Sequence, residues 1–247
     1  MKFKKPSKHF ATGLLCLGII GIVGVGSYSY FSDGGNMVNE ITTGSLDLET
    51  SETDWNPTGD QDGKNLYPGY TTNKNPTVKN ITGILDNNAY IRATITFLDK
   101  NGNRITGNKT RCDLIWNTIR WDTNNSLAEG SKYTTAKVNT LPNFNPAFEY
   151  IAAKSDPNNG VRVFYLRNTL ASAATTGGGE SVTLFNRIVF PTEWSQQELD
   201  VMGDYKIDVK FEGIQEKTFD NVNDAMSALD NQNPKHMDYN KGDFKNY

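Results

Sequence analysis

The chain is poor in the residues that build disulfide frameworks and histidine metal sites. Its 247 residues include only two cysteines and two histidines. A disulfide scaffold needs several cysteine pairs, and a zinc-protease motif needs two histidines one helical turn apart. Positive charge is also scarce, because 25 lysines and arginines stand against 28 acidic residues. The composition argues against a disulfide scaffold, a histidine-built metal site and a nucleic-acid binder, which needs a basic surface.

Motifs for nucleotide binding and for a catalytic triad are missing as well. The glycine run at 177–179 lacks the Lys-Ser/Thr ending of a phosphate-binding loop. Beyond the first thirty residues the only histidine is His236, which stands in a polar tail. A Ser-His-Asp triad needs a rigidly held base, and this tail is a poor place for one. The sequence therefore predicts that the protein is not an enzyme.

Residues 1–29 have the pattern of a secretory signal peptide. Four lysines precede an apolar run at 11–26, and the small-x-small pattern Ser27-Tyr28-Ser29 follows it. A basic start, an apolar middle and a small-x-small end form the order that signal peptidases recognise. We predict cleavage between Ser29 and Tyr30, and therefore a secreted protein of the extracellular matrix or the cell surface.

An uncleaved membrane anchor is the alternative for this segment, because 10–31 is about as long as the roughly 20 residues that span a bilayer. Five glycines in the apolar run weaken a membrane helix, which favours cleavage. Cleavage leaves 21 basic and 28 acidic residues, a formal charge of −7, and a single cysteine, Cys112. A lone cysteine is either buried and inert or available for intermolecular bonding, and burial is favoured here.

Alternating residue patterns predict strands through most of the remaining chain. At 90–97 the apolar residues Ile91, Ala93, Ile95 and Phe97 share one face, while Tyr90, Arg92, Thr94 and Thr96 share the other. This spacing predicts one face in a core and one in water, and 205–212 repeats it. Further strand candidates, several of them rich in β-branched and aromatic residues, are 44–49, 76–81, 161–166 and 181–190.

Turn and helix signals lie between and after these strands. Asn101-Gly102 predicts a hairpin turn, and 67–70 predicts a turn built on Pro68 and Gly69. Residues 221–230 carry apolar side chains at i, i+3, i+4 and i+7, which predicts one amphipathic helix.

The predicted fold is all-β: a jelly-roll-like two-sheet sandwich with a long insertion and few short helices. This domain is expected over 44–231 and is followed by a polar tail at 232–247. Within it, 122–160 is polar and rich in asparagine, and we interpret it as an insertion with little regular structure.

Two acidic loops are weak candidates for calcium, the one cofactor that we consider. Asp60 and Asp62 stand in the first loop, and Asp99 and Asn101 in the second. Calcium needs about six to eight oxygen ligands and usually a bidentate acid that closes the site. The residue at the closing position of the second loop is Thr110, which cannot act as a bidentate acid. Solvated turns are therefore favoured, with calcium binding as the alternative.

A series of short motifs along the chain resembles one known family. The motifs, in order, are Tyr30-Phe31-Ser32-Asp33, Ile41-Thr42-Thr43-Gly44-Ser45-Leu46-Asp47-Leu48, Tyr67-Pro68-Gly69, Thr77-Val78-Lys79-Asn80-Ile81-Thr82-Gly83, Ala89-Tyr90-Ile91-Arg92, Phe164-Tyr165-Leu166, Leu184-Phe185-Asn186, Phe190-Pro191 and Ile214-Gln215. Together they resemble the TasA/camelysin family of secreted proteins in Gram-positive bacteria, which are exported through a SipW-type signal peptidase. The resemblance spans nearly the whole chain, and the insertion at 122–160 departs from it.

The resemblance implies a jelly-roll subunit of extracellular fibres, in a biofilm matrix or a cell-surface pilus. In such fibres the segment after the cleavage site is donated as a strand to the next subunit. The arm at 30–43 fits this role, because its apolar residues have no nearby partner in the sequence. These residues are Tyr30, Phe31, Met37, Val38 and Ile41. The alternative is that the arm forms the first strand of its own domain.

The implied partners are further copies of the chain, the SipW-type signal peptidase, and minor fibre or matrix proteins, with no nucleic acid. Two other functions remain open at this point. One is a camelysin-type cell-surface metalloprotease, and the other is a monomeric membrane-anchored adhesin.

Overall fold

The computed structural model describes residues 46–54 and 67–232, and the structural statements below concern these residues. The strands are β1 (Leu48–Ser51), β2 (Thr71–Asn73), β3 (Thr77–Asn80), β4 (Ala89–Asp99), β5 (Ile119–Arg120), β6 (Phe148–Tyr150), β7 (Val161–Leu166), β8 (Ser181–Thr183), β9 (Arg187–Val189) and β10 (Tyr205–Gln215). The α-helices are α1 (Lys109–Thr118), α2 (Thr135–Val138), α3 (Ala173–Thr176), α4 (Gln196–Met202) and α5 (Val222–Gln232). Short 3-10 helices cover Ala152–Lys154, Pro157–Asn159 and Glu216–Thr218.

The strands form three antiparallel sheets. Their strand orders are β1-β3-β8, β10-β4-β7-β6 and β2-β9-β5. The predicted all-β, sandwich-like class is confirmed. The strands are divided among three hydrogen-bonded sheets, and the predicted strand at 181–190 contributes β8 to one of them and β9 to another.

The longest pairing joins β4 to β10 over the full length of both strands. Ala89 lies opposite Gln215 at one end, and Asp99 lies opposite Tyr205 at the other. The predicted apolar face of β4 is confirmed, because its alternate side chains lie in the main core together with Val209 and Phe211 of β10. Burial of one such large side chain contributes about 2 kcal/mol. The core-facing residues of β4 are Ala89, Ile91, Ala93, Ile95 and Phe97.

The prediction that the opposite face of β4 contacts water was wrong. Tyr90, Arg92, Thr94 and Thr96 are only 9, 2, 2 and 3% exposed. Helix α5 packs on this side of the sheet and forms a second apolar cluster with Tyr90 and the neighbouring strands. Period-two spacing shows that a strand has two unlike faces, but it does not show that a distant helix covers the polar one.

Helix α5 itself confirms the helix predicted at 221–230. The side chain of Asn221 begins it by accepting hydrogen bonds from the backbone N–H of Asn223 and Asp224, both at 3.0 Å. Ala225, Met226 and Leu229 then face the sheet as one apolar stripe.

Helices α1 and α4 were not predicted. In α1 the apolar stripe is weak, since Cys112 and Ile115 are its only buried apolar residues. Helix α4 carries a clearer signal, a capping box in which Ser195 and Glu198 bond each other's backbone. Cys112 is free and fully buried in the main core, as favoured from the sequence.

Three local predictions can be compared with the structure. The turn at 67–70 is confirmed, with the N–H of Tyr70 donating to the carbonyl of Tyr67 at 3.0 Å. A turn at Asn101-Gly102 is also present and brings Leu98 opposite Arg104. The polar stretch 122–160 contains α2, two 3-10 helices and β6, which extends the four-stranded sheet.

A cluster of buried charges ties α5 to the sheet. Arg92 on β4 donates to Glu212 on β10 at 2.8 Å and also to Asp230 on α5. Lys154 reaches the second oxygen of Asp230 at 2.9 Å, and Lys210 reaches Glu212 at 2.6 Å. Burial alone would raise the pKa of the Glu212 carboxyl, but the charges of Lys210 and Arg92 outweigh it and hold the pKa well below its usual range.

We predict that Glu212→Gln lowers the free energy of unfolding at pH 7 by about 3 kcal/mol, because it leaves Arg92 buried without one of its counter-charges. The depressed pKa means that this stabilisation is present at neutral pH. It declines as the pH falls below the ordinary carboxyl value of about 4. Urea unfolding at a series of pH values measures both effects.

The matched control is Glu149→Gln, which removes a carboxylate from the ion pair with Arg167. Both partners are more than half exposed, at 56 and 54%. An exposed pair contributes about 0–1 kcal/mol, so this variant should unfold almost like the wild type. Equal costs for the two substitutions would show that the buried cluster does not stabilise the fold.

Candidate functional site

Most residues of the predicted site lie outside the described residues. This holds for the cleavage positions Ser27, Ser29 and Tyr30 and for the calcium candidates Asp60 and Asp62. It also holds for the other arm residues, namely Phe31, Met37, Val38 and Ile41. The predictions for these residues stay predictions. The described residues begin at Leu46, shortly after the predicted arm, and so include the point at which that arm would join the domain.

We call this point, Leu46–Leu48, the arm root, and it is held by core packing and by backbone hydrogen bonds. Leu46 and Leu48 are buried in the main core. Between them, the N–H of Asp47 donates to Thr82 Oγ1 at 2.9 Å, and its carbonyl accepts from the N–H of Ile81 at 3.0 Å. The root is therefore fixed to the segment that follows β3.

Gly213 on β10 provides the space for the arm root. A Cβ built at this glycine would lie 2.7 Å from Leu48 Cδ1 and 3.2 Å from Leu46 Cδ2. Real Cβ contacts are essentially never as short as the first of these distances, so a side chain here would force the Leu48 side chain to move. The absence of a side chain at 213 thus lets the start of β1 pack directly against β10.

The two strands that meet at Gly213 are both edge strands. In the described part of the chain β10 pairs only with β4, and β1 pairs only with β3. Because Leu48 is the first residue of β1, the edge strand β1 packs across the core on the edge strand β10 at the arm root. We call this side of the sandwich, formed by the edges of β1 and β10, the open side.

The hydrogen-bond pattern shows which backbone groups of β10 point to the open side. Ala89 exchanges both main-chain bonds with Leu170, at 3.0 and 2.8 Å, and the N–H of Phe97 donates to Gly160 at 2.9 Å. Leu170 and Gly160 flank β7, so the odd-numbered residues of β4 bond on that side. Residues of an antiparallel strand alternate between neighbours, so the even-numbered residues of β4 bond to β10.

The register then settles the orientation of β10. It places Thr94 opposite Lys210, so even-numbered residues of β10 bond to β4. Odd-numbered residues, among them Ile207, Val209 and Phe211, direct their N–H and C=O groups away from β4. Within 46–54 and 67–232 no further strand pairs with these outward groups, and edge groups of this kind are a template for one more strand. The side chains of the same three residues lie in the main core, so an added strand would extend a sheet that is already packed.

The calcium candidate at Asp99 has a different geometry from a metal loop. Its Oδ1 accepts hydrogen bonds from the backbone N–H of Asn101 at 2.8 Å and of Asn103 at 2.9 Å. The hydrogen bonds to Asn103 are the main reason why the pKa of this carboxyl is lowered. The carboxylate thus organises its own turn. Calcium binding at this loop remains an untested alternative.

This β-sandwich, with its buried arm root and its open side, matches one known family of proteins. Residues 3–154, more than half of the chain, match the family described as camelysin metallo-endopeptidase, and the chain belongs to that family. This confirms the resemblance to the TasA/camelysin family. No curated protein matches the chain.

The family is one of cell-surface and extracellular proteins. Over 46–54 and 67–232, no helix is both long and apolar enough to cross a membrane.

The metal that the family description implies does not fit the described residues. Within 46–54 and 67–232, no three side chains of histidine, cysteine, aspartate or glutamate come together in a way that could hold a metal ion. Both histidines, His9 and His236, lie outside these ranges. We therefore derive no hydrolytic step from the described part of the chain.

We predict that Gly213→Val lowers the free energy of unfolding by about 2 kcal/mol, because overpacking forces Leu46, Leu48 or the backbone to move. Thermal or urea unfolding of the purified mature chain measures this cost. The control is Gly178→Val, since a Cβ at Gly178 meets no atom within 4 Å. If both variants unfold alike, the arm root is not packed against β10 as described.

Proposed function

We propose that this protein is a secreted structural subunit that assembles into extracellular fibres of a biofilm matrix or a cell-surface pilus. Each copy donates its arm, residues 30–43, as a strand to the next copy. The observation that supports this most directly is the open side, where β10 offers a row of outward main-chain groups beside the arm root. Removal of the leader by a SipW-type signal peptidase would free the arm.

The chemistry of strand addition matches the two partners. A donated strand gains affinity from main-chain hydrogen bonds and specificity from alternate side chains that enter pockets. The predicted arm is of similar length to the eleven residues of β10 and carries several apolar side chains. Because each subunit has one arm and one open side, the contact is head-to-tail and continues as a filament.

Pairing within one molecule is the competing arrangement. Since the arm root lies beside β10, an arm that folds back could pair with its own β10 and satisfy the same groups. The protein would then stay monomeric. Filament formation by the mature chain, and its dependence on the arm, therefore decide between donation and self-pairing.

We expect deletion of residues 30–38 to give a folded subunit that no longer forms filaments, because the described domain keeps its core while the donated strand is lost. Electron microscopy and sedimentation follow filaments, and circular dichroism follows folding. The untruncated mature chain, 30–247, is the control. Filaments from the truncated chain would contradict strand donation.

A peptide of residues 30–41 added to the truncated chain tests the receiving strand directly. The peptide should protect the amides of Ile207, Val209 and Phe211 from hydrogen exchange, because these point to the open side. The neighbouring amides of Lys206, Asp208 and Lys210 already bond to β4 and should change little. Equal protection of odd- and even-numbered amides would show that the peptide does not bind along the outward edge of β10.

Proteolysis is the second candidate function, because the family description names metallo-endopeptidases. Casein hydrolysis by the purified mature chain that a chelator abolishes would favour it. A monomeric chain that stays in the membrane fraction with an intact N-terminus would instead favour the anchored adhesin. Under the fibre proposal, minor fibre or matrix proteins are further partners. Calcium is a candidate cofactor, and a rise in melting temperature on addition of calcium would support its binding.

A further inference from the structure

The loop between β3 and β4 presents apolar side chains to solvent. Ile81, Ile84 and Leu85 are 38, 50 and 65% exposed, and Leu85 is the most exposed of the large apolar residues in the described part of the chain. We call these three residues the apolar tip. A scattered exposed apolar residue is ordinary, but three within five residues of one loop concentrate exposed apolar area that a partner can cover.

Hydrogen bonds to the rest of the domain hold this loop in place. Asn80 Nδ2 donates to the carbonyls of Asn87 at 3.0 Å and Leu170 at 2.9 Å, so it joins the two ends of the loop to the body. The N–H of Asp86 donates to Thr175 Oγ1 at 3.1 Å. Asp86 has a φ of 55°, an unfavourable left-handed conformation for a residue other than glycine. The surrounding contacts therefore fix Ile84 and Leu85 in an outward position.

The apolar tip lies at the arm root. Ile81 bonds the carbonyl of Asp47 through its N–H at 3.0 Å, and Thr82 bonds the N–H of Asp47 at 2.9 Å. The carbonyl of Leu85 lies 3.5 Å from Lys217 Nζ, just after the end of β10. The loop that carries the tip, the arm root and the end of β10 thus share one end of the sandwich.

We propose that the apolar tip is a second contact between subunits, which docks on the copy of this chain that receives the arm. The inference rests on the proposed function, because a second copy is brought to this end by the arm that leaves from it. Once the arm is bound, the tip and its target are held at high effective concentration, so a small apolar contact suffices. The tip would fix the angle between subunits, which an extended arm alone leaves loose.

The test uses the mature chain 30–247 with a photo-crosslinker on Leu85→Cys. Cys112 is fully buried, so a maleimide-linked benzophenone labels position 85 selectively. We expect light to give covalent dimers and higher ladders in the labelled chain. We also expect Leu85→Asp to raise the concentration needed for filaments about tenfold, while Leu85→Met assembles like the wild type. Melting curves check that each variant is folded.

The outcomes separate this inference from the proposed function. Filaments that form without cross-links from position 85, and that tolerate Leu85→Asp, overturn the tip contact and leave strand donation standing. Cross-linked dimers without filaments support the tip contact and count against the fibre. If the chain forms neither filaments nor cross-links, both the proposed function and the tip contact are wrong. Recovery of the labelled chain bound to lipid vesicles instead of to itself would overturn the inference in favour of a membrane contact.

Discussion

The structure depends on the pairing of β4 with β10 along their whole length. Eleven residues of each strand are in register. One face packs into the main core, and the other lies under α5. Because β4 also pairs with β7, it forms the interior of the sheet, while β10 becomes its edge. The same pairing therefore builds the core and leaves the outward backbone groups that the proposed strand donation would use.

Local patterns in the sequence predicted the strands and one helix well, because alternation and the i, i+3, i+4 stripe are properties of neighbouring residues. The predicted strand at 161–166 coincides with β7. The surroundings of Arg92 were not predictable in this way. Its partners Glu212 and Asp230 are 120 and 138 positions away in the sequence, and no periodicity connects them. Buried ion pairs are a tertiary feature, and the same pattern typically indicates a solvated face.

The candidate site likewise has one part that local patterns predict and one part that depends on tertiary structure. The arm was predicted from its position after the predicted leader and from its apolar residues, both of which are local features. The open side was not, because an edge is defined by the neighbour that a strand lacks, and this depends on the order of all strands in the sheet. Gly213 illustrates the point, since a glycine within an alternating strand predicts a close approach but not that Leu46 and Leu48 are the residues that approach.

Within the described residues β10 is a long edge strand, and a long edge is an aggregation liability. Charged side chains on β10 reduce this tendency to aggregate, but they do not block the edge. Lys206 and Lys210 lie along β10, and Lys210 also neutralises Glu212 inside the cluster that holds α5. The ion pairs cost desolvation, but they fix how the sheet and the helix meet, and thereby fix the edge. Under the proposed strand donation, such an edge would select incoming strands by their side chains, so the ion pairs that stabilise the subunit would also serve partner specificity.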